Sequence, residues 1–157
     1  EYSGKSMEYF DEASREKYIP YIIESTYGLD RIVLAVLFEG LHEERVSENE
    51  TRVVLGIRPF LAPVKAVILP LIKKRHAEKA MGIYRNLRAH FMVQYDESGS
   101  IGKRYRRADA IGVPVAVTVD DDTLEKGTVT VRDRDTMQQK TLSIEELVPY
   151  LSDAMRA

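Results

Sequence analysis

An α/β fold, with a mixed five-stranded sheet and three helices preceded by the end of an antiparallel domain, is what the sequence predicts. Three observations predict it. Between Ala66 and Val119, short apolar runs alternate with amphipathic helical stretches, the pattern of parallel strands joined by right-handed crossovers. Beyond Gly127, Thr128–Arg132 alternates with period two, and Gln138–Leu142 can pair with it as a hairpin. Pro59 and Pro63 each bias the preceding residue toward extended geometry and mark a boundary. The organisation read from this is two domains, residues 1–60 and 61–157.

In chain order, Ser6–Phe10 and Tyr18–Ile23 are strand-like, joined by the charged connection Asp11–Lys17. Asp30 can cap a helix over Arg31–Glu44, and the polar stretch Ser47–Arg52 reads as a loop. This block has too few strands to close a core alone. Past the prolines, Ala66–Leu69 is a buried strand. A helix over His76–His90 follows, with Ala77, Ala80, Met81, Tyr84 and Leu87 at helical spacing. Met92–Tyr95 is the next strand. Ser100 opens a helix over Ile101–Ile111, which Gly112 and Pro114 close in the expected order. Val115–Val119 is a further buried strand, and Asp120–Gly127 is read as a turn. Ser143 and Glu146 have capping-box spacing ahead of a last helix, which Pro149 must kink or delay.

The composition, 44% apolar and 31% charged, is that of a soluble globular chain. The longest apolar run, Ile32–Phe38, is too short to cross a bilayer, so no membrane partner is expected. The chain has no cysteine, which excludes disulfides and thiolate chemistry and makes the cytoplasm the default compartment. A first residue other than Met is read as the start of a piece of a longer polypeptide. Net charge is −2, yet it is unevenly spread. Residues 1–64 carry 7 Lys/Arg against 12 Asp/Glu, residues 65–107 carry 11 against 3, and residues 108–157 carry 5 against 10. A basic block between acidic ones is either a phosphate-binding surface or a solvated helix face.

Asp96–Arg107 is the most informative segment. A glycine-containing turn leads into a helix whose first turns carry Lys103, Arg104, Arg106 and Arg107, a device suited to nucleotide or RNA phosphates. It is not a P-loop, because Gly99 and Gly102 are too close and Arg104 follows Lys103. Arg132 and Arg134 fall on one face if the strand continues. Planar guanidinium groups there would either read and stack on unpaired bases or close a local salt-bridged turn. His42, His76 and His90 share no ligand spacing, and no metal site is assigned. Glu24, Gly28 and Arg31 set a carboxylate, a close-approach glycine and an arginine near a helix start, a geometry open to a triphosphate.

Taken together, Ser3–Asp11, Tyr18–Arg31, Leu61–Pro63, Gly99–Pro114 (GSIGKRYRRADAIGVP) and Thr130–Gln139 (TVRDRDTMQQ) resemble the homodimeric class II glycyl-tRNA synthetases over nearly the whole chain. The resemblance implies that Glu24–Arg31 is motif 3. Arg31 would then contact ATP, Gly28 would let it approach, Glu24 would bind the ammonium of glycine, and Thr26 would help recognise that substrate. The family pattern there resembles Glu-Pro-Ser, whereas this chain has Glu24-Ser25-Thr26, keeping a hydroxyl and adding a methyl. Motifs 1 and 2 are absent, so ATP and Mg²⁺ belong to the parent enzyme and this polypeptide alone is expected to be inactive as a ligase. From about Pro63 the chain is similar to the anticodon-binding domain of the glycyl, histidyl, prolyl and threonyl enzymes. The implied partner is glycine tRNA, with Asp96, Glu97, Lys103, Arg104, Arg132 and Arg134 as candidate anticodon contacts. The alternative is a non-catalytic nucleic-acid-binding accessory protein on a synthetase scaffold.

Overall fold

A computed structural model of the chain describes residues 4–48 and 50–156; Ser3, the first residue of the first family-like run, lies outside them. Contacts divide the chain into two compact units, one ending at Ile32 and one starting at Val33. In the first, β1 (Tyr9–Asp11) and β2 (Glu16–Tyr18) form an antiparallel hairpin. Both expected strands are shorter and lie nearer the turn. The Asp11 carboxylate closes that turn, accepting from the Ala13 amide and the Ser14 hydroxyl at 3.0 Å each, and Arg15 takes φ 56°. Pro20 has no amide hydrogen, so the Tyr18–Ile23 run does not continue the ladder. Residues 19–28 are irregular, and the side chain of Tyr21 is 100% exposed.

Helix α1 (Leu29–Gly40) runs from the first unit into the second. It ends four residues earlier than expected because Gly40 begins a close approach. A Cβ there would meet Ile57 Cγ2 at 2.9 Å and Leu55 Cδ1 at 3.3 Å. The chain turns directly into β3 (Leu41–Ser47), which pairs antiparallel with β4 (Glu50–Leu55). The expected helix tail and loop are therefore a second hairpin. Its period-two signal is disguised, since Arg52 occupies a buried position beside buried Val54.

The five-stranded sheet contains β5 (Ala66–Pro70), β6 (Val93–Tyr95), β7 (Val115–Val119), β8 (Thr128–Asp133) and β9 (Gln139–Ser143) in the order β6-β5-β7-β8-β9. β5 is parallel to β6 and β7, while β8 and β9 are antiparallel additions. Ile68, Val117 and Val131 pack against Ala80, Ile83 and Leu87 of α2 (Lys73–Arg88) and Leu147 and Leu151 of α5 (Leu147–Ala154). On the other face Val67, Leu69 and Ala116 pack against Ala108 of α3 (Ile101–Ala110) and Val113. Burial on both faces explains why β5 and β7 are continuous apolar runs.

The expected Asp120–Gly127 turn is a short helix, α4 (Asp121–Lys126), closed by Gly127 at φ 69°. Asp120 caps it by accepting from the Thr123 amide at 3.2 Å, and Thr123 Oγ1 accepts from the Asp120 amide at 3.0 Å. Six residues are too few to display a helical stripe. At the same end of the sheet, where Ser143 pairs with Thr128, the Glu146 carboxylate accepts from the Ser143 amide (2.9 Å) and hydroxyl (2.8 Å), and a 3₁₀ turn (Ile144–Glu146) precedes α5. Pro149 thereby falls in the first turn of α5, where its missing donor costs no intrahelical bond.

Candidate functional site

The connection from β5 leads to α2 on one face of the sheet, and that from β6 leads to α3 on the opposite face. Adjacent parallel strands whose exits diverge leave a crevice at their carboxyl ends, where open α/β sheets bind ligands. Lys73, the first residue of α2, and Tyr95, the last of β6, stand on either side, with Asp96 and Glu97 following. Glu97 is ion-paired with Lys73, and its other oxygen accepts the Tyr95 hydroxyl at 2.8 Å. Lys73 and Tyr95 hold the half-buried Glu97 carboxyl below its ordinary value. Burial, reinforced by the bond to Glu97, pushes the Tyr95 phenol up to about 12.

The loop that carries these groups is tied down by α3. Arg104 is buried and donates to the carbonyls of Pro70 (2.6 Å) and Gly99 (3.2 Å). Arg107 donates to Asp96 Oδ2 (2.6 and 3.1 Å) and to the Ser98 carbonyl (2.6 Å). Although burial opposes it, the Ser98 amide and Arg107 hold Asp96 below the usual carboxylate value. An open groove of about 540 Å³ lies here, lined by Tyr95, Asp96, Arg104 and Arg107. Next to the crevice, buried His76 accepts from the Ile72 amide at Nδ1 (3.0 Å), so its Nε2 carries the hydrogen facing Asp121 Oδ1 (2.9 Å). That bond ties the start of α2 to the start of α4.

A second polar cluster occupies the amino end of the parallel strands. Buried Asp109 accepts from Arg132 (2.9 and 3.2 Å) and from Arg52 (3.1 Å). Arg132 also lies 4.9 Å from the centre of the Tyr105 ring. Arg52 donates further to Glu44 (2.8 Å) and to the Arg134 carbonyl (2.8 Å). Arg134, 2% exposed, directs its guanidinium at the carbonyls of Leu55, Gly112 and Ile57 and at both oxygens of Asp135, between 2.7 and 3.1 Å. These five contacts use all five of its N–H donors.

The anticodon binding domain family matches residues 65–154. The chain belongs to this family. It is also similar to glycine–tRNA ligases: 48% identical over 156 residues to that of Clostridium acetobutylicum, and 50% over 152 residues to that of Clostridium tetani. These alignments cover 99% and 97% of this chain but 34% and 33% of the relatives, so the chain spans about a third of their length. The RNA binding domain of threonyl-tRNA synthetase from Cryptosporidium parvum superposes with a TM-score of 0.57 at 27% identity, over 62% of this chain and 25% of that one.

In this anticodon-binding domain the candidates chosen from sequence separate into two groups. Asp96 and Glu97 line the crevice, and exposed Lys103 on the first turn of α3 has no partner among the described residues. Arg104 lies beneath that loop as a buried support rather than an open contact. Arg132 and Arg134 are at the opposite end. Asp133 pairs with Val115 at the start of β7, and the Arg134 amide donates to the Pro114 carbonyl at 3.0 Å. The length of β7, about 16 Å at ~3.3 Å per residue, separates them from the crevice. The expectation that both arginines face unpaired bases therefore gives way, and the alternative of a local salt-bridged turn holds only for Arg134 with Asp135, since the other partners of both arginines are distant in sequence. Their guanidinium groups are buried and committed to protein acceptors.

Sequence reasoning did not single out Lys73, Tyr95, His76 or Asp109. Lys73 and Tyr95 had a usable signal, since each stands where a parallel strand ends and its crossover begins. Asp109 had none, because the two arginines it neutralises are distant in sequence. In the N-terminal unit, Thr26 donates to Glu24 at 3.2 Å, and the Gly28 carbonyl accepts from the Ile32 amide at 3.1 Å in the first turn of α1, which also carries Arg31. All four predicted residues there are exposed. Among the described residues, no group of acidic and histidine side chains could hold a metal ion, and no helix is long and apolar enough to cross a membrane.

Proposed function

We propose that residues 61–157 hold the unstacked anticodon bases of glycine tRNA, as the C-terminal part of an ATP-dependent glycine–tRNA ligase working in the cytoplasm as a homodimer. The observation that carries this reading is the crevice at the carboxyl ends of β5 and β6, with an ionised carboxylate and an ammonium side by side at its mouth. Such a pair matches the mixed donors and acceptors on the Watson–Crick edge of an unpaired base. Glu97 accepts from an exocyclic amino group and Lys73 donates to a ring nitrogen or carbonyl. Asp96 acts by fixing the loop through Arg107, and Arg104 supports it from below. Lys103 and the α2 cations Lys74, Lys79, Arg85 and Arg88, without partners among the described residues, face the phosphates.

Residues 1–60 are read as the end of the class II catalytic domain, with Glu24 and Thr26 toward glycine and Gly28 and Arg31 toward ATP. One carboxylate and one guanidinium form only part of a triphosphate site and offer no cluster for Mg²⁺. The 157 residues alone are therefore expected to be inactive as a ligase. The test is binding of the chain to glycine tRNA and to the same tRNA with its anticodon bases replaced, across a salt series. Selective loss with the altered anticodon supports the reading. Equal, salt-sensitive binding to both tRNAs refutes it and leaves a phosphate-binding surface.

A further inference from the structure

One helix joins the crevice to the arginine cluster. α3 holds the crevice loop through Arg104 in its first half and through Arg107, which reaches back from its last turn to Asp96 and the Ser98 carbonyl. In its last turn it carries Asp109, and one turn earlier Arg106 is paired with Glu50. Glu50 and Arg52 both belong to β4, so the hairpin β3–β4 is bolted to the far end of the helix that fixes the crevice. The hairpin in turn follows α1 with no linker. The Gly56 amide donates to the Gly40 carbonyl at 2.7 Å, and the backbone at Gly40 is too close to Ile57 to admit a side chain.

The chemistry of the bolt is unusual for a structural contact. Arg52, Arg132, Asp109 and Glu44 form a neutral set of two cations and two anions, with both arginines and Asp109 buried. Buried ion clusters seldom stabilise more than well-packed apolar residues would, but they satisfy all their bonds in one arrangement only. A small displacement of α3 would break several of these bonds together. The cluster therefore transmits displacement rather than absorbing it. We propose that Arg52, clamped by Asp109, is a positioning residue through which occupation of the crevice sets the placement of the hairpin, and so of α1, during glycyl transfer to tRNA. The proposal rests on the anticodon reading given above.

The experiment uses the full-length ligase that carries this chain, with Arg52→Met, which leaves the Asp109–Arg132 pair in place. Arg52→Lys, which keeps the charge and loses the fork, is measured alongside and decides the case if the methionine variant does not fold. The readouts are thermal melting, glycine-dependent ATP–pyrophosphate exchange, and kcat and KM for glycine tRNA and for its anticodon-replaced form. The expected result is a cooperative melt, with exchange and the KM for tRNA within about twofold of wild type. kcat for the intact tRNA falls on the order of tenfold, inside the roughly 5- to 150-fold range of couplings between sites, and the kcat gap between the two tRNAs shrinks with it. An unchanged kcat in a folded variant, or a parallel fall of exchange and transfer, overturns the proposal. A wild-type enzyme that does not distinguish the two tRNAs in KM or kcat overturns the anticodon reading and the proposal together. A wild type that distinguishes them, beside a variant that does so equally well, overturns the coupling alone.

Discussion

Replacing Arg134 by methionine removes a charge from the interior and leaves three main-chain acceptors without their donor. The carbonyls of Leu55, Gly112 and Ile57 receive its guanidinium hydrogens at 3.1, 3.0 and 2.8 Å. An orphaned buried acceptor costs about 1–3 kcal/mol, so the buried Gly112 and Ile57 carbonyls cost about 2–6 kcal/mol, and the part-buried Leu55 carbonyl adds less. Relief from holding a guanidinium out of water offsets several kcal/mol of that. The freed Asp135 carboxylate is half exposed and rehydrates. A net loss of about 3 kcal/mol is expected, a large part of the ~5–15 kcal/mol that holds a domain folded. In urea titration of the 157-residue chain, with a slope of about 2 kcal/mol per M, the midpoint should fall by about 1.5 M. Arg134→Lys, with three donors and no planar fork, should lose about half as much. If the midpoint stays within about 0.3 M while glycine tRNA binding weakens, Arg134 reads RNA after all and its assignment as a structural staple is wrong.

Three further outcomes separate the roles of the crevice residues. Glu97→Gln keeps an acceptor for Tyr95 but loses the negative charge facing Lys73, and should reduce discrimination between native and replaced anticodons by about tenfold in a filter-binding assay. Lys103→Glu should weaken binding to both tRNAs alike and lower the slope of log affinity against log salt by about 1 or more, the outcome expected of a phosphate contact rather than a base contact. The Tyr95 phenol, raised to about 12 by burial and by Glu97, keeps its proton in the folded chain while the unfolded chain loses it near 10. Its contribution to stability is thus complete below pH ~10 and lost as pH rises from there to about 12. Difference absorbance titration of the chain against Tyr95→Phe should show one late-ionising tyrosine, and a missing group that ionises near pH 10 would contradict this.

The central sheet was legible because burial on both faces leaves little freedom in composition. Ala66–Leu69 and Val115–Val119 could hardly be anything but inner strands. The helix stripes, the Gly112 stop and the Ser143–Glu146 capping box were equally local signals, each complete within a few residues. What was not legible depended on partners far away. The β3–β4 hairpin puts an arginine where alternation calls for an apolar residue, and only Asp109, 57 residues on, explains why. Arg132 and Arg134 look like free cations until the acceptors that consume their hydrogens are in view. The crevice itself is a product of topology. Lys73 and Glu97 meet only because the exits from β5 and β6 lead to opposite faces of one sheet.

The position of β5 has a consequence for how the chain is made. This inner strand is the first of the five to be synthesised, and its two edges are claimed at different times. β6 pairs with one edge about 27 residues later, but the edge that takes β7 stays open until about 50 residues have followed. At roughly 5–20 residues per second, a ribosome would leave that apolar edge unpaired for several seconds. β7, β8 and β9, by contrast, are sequential neighbours that can zip together as they emerge. During translation, the stretch Ala66–Pro70 is thus where a chaperone would find its most persistent target.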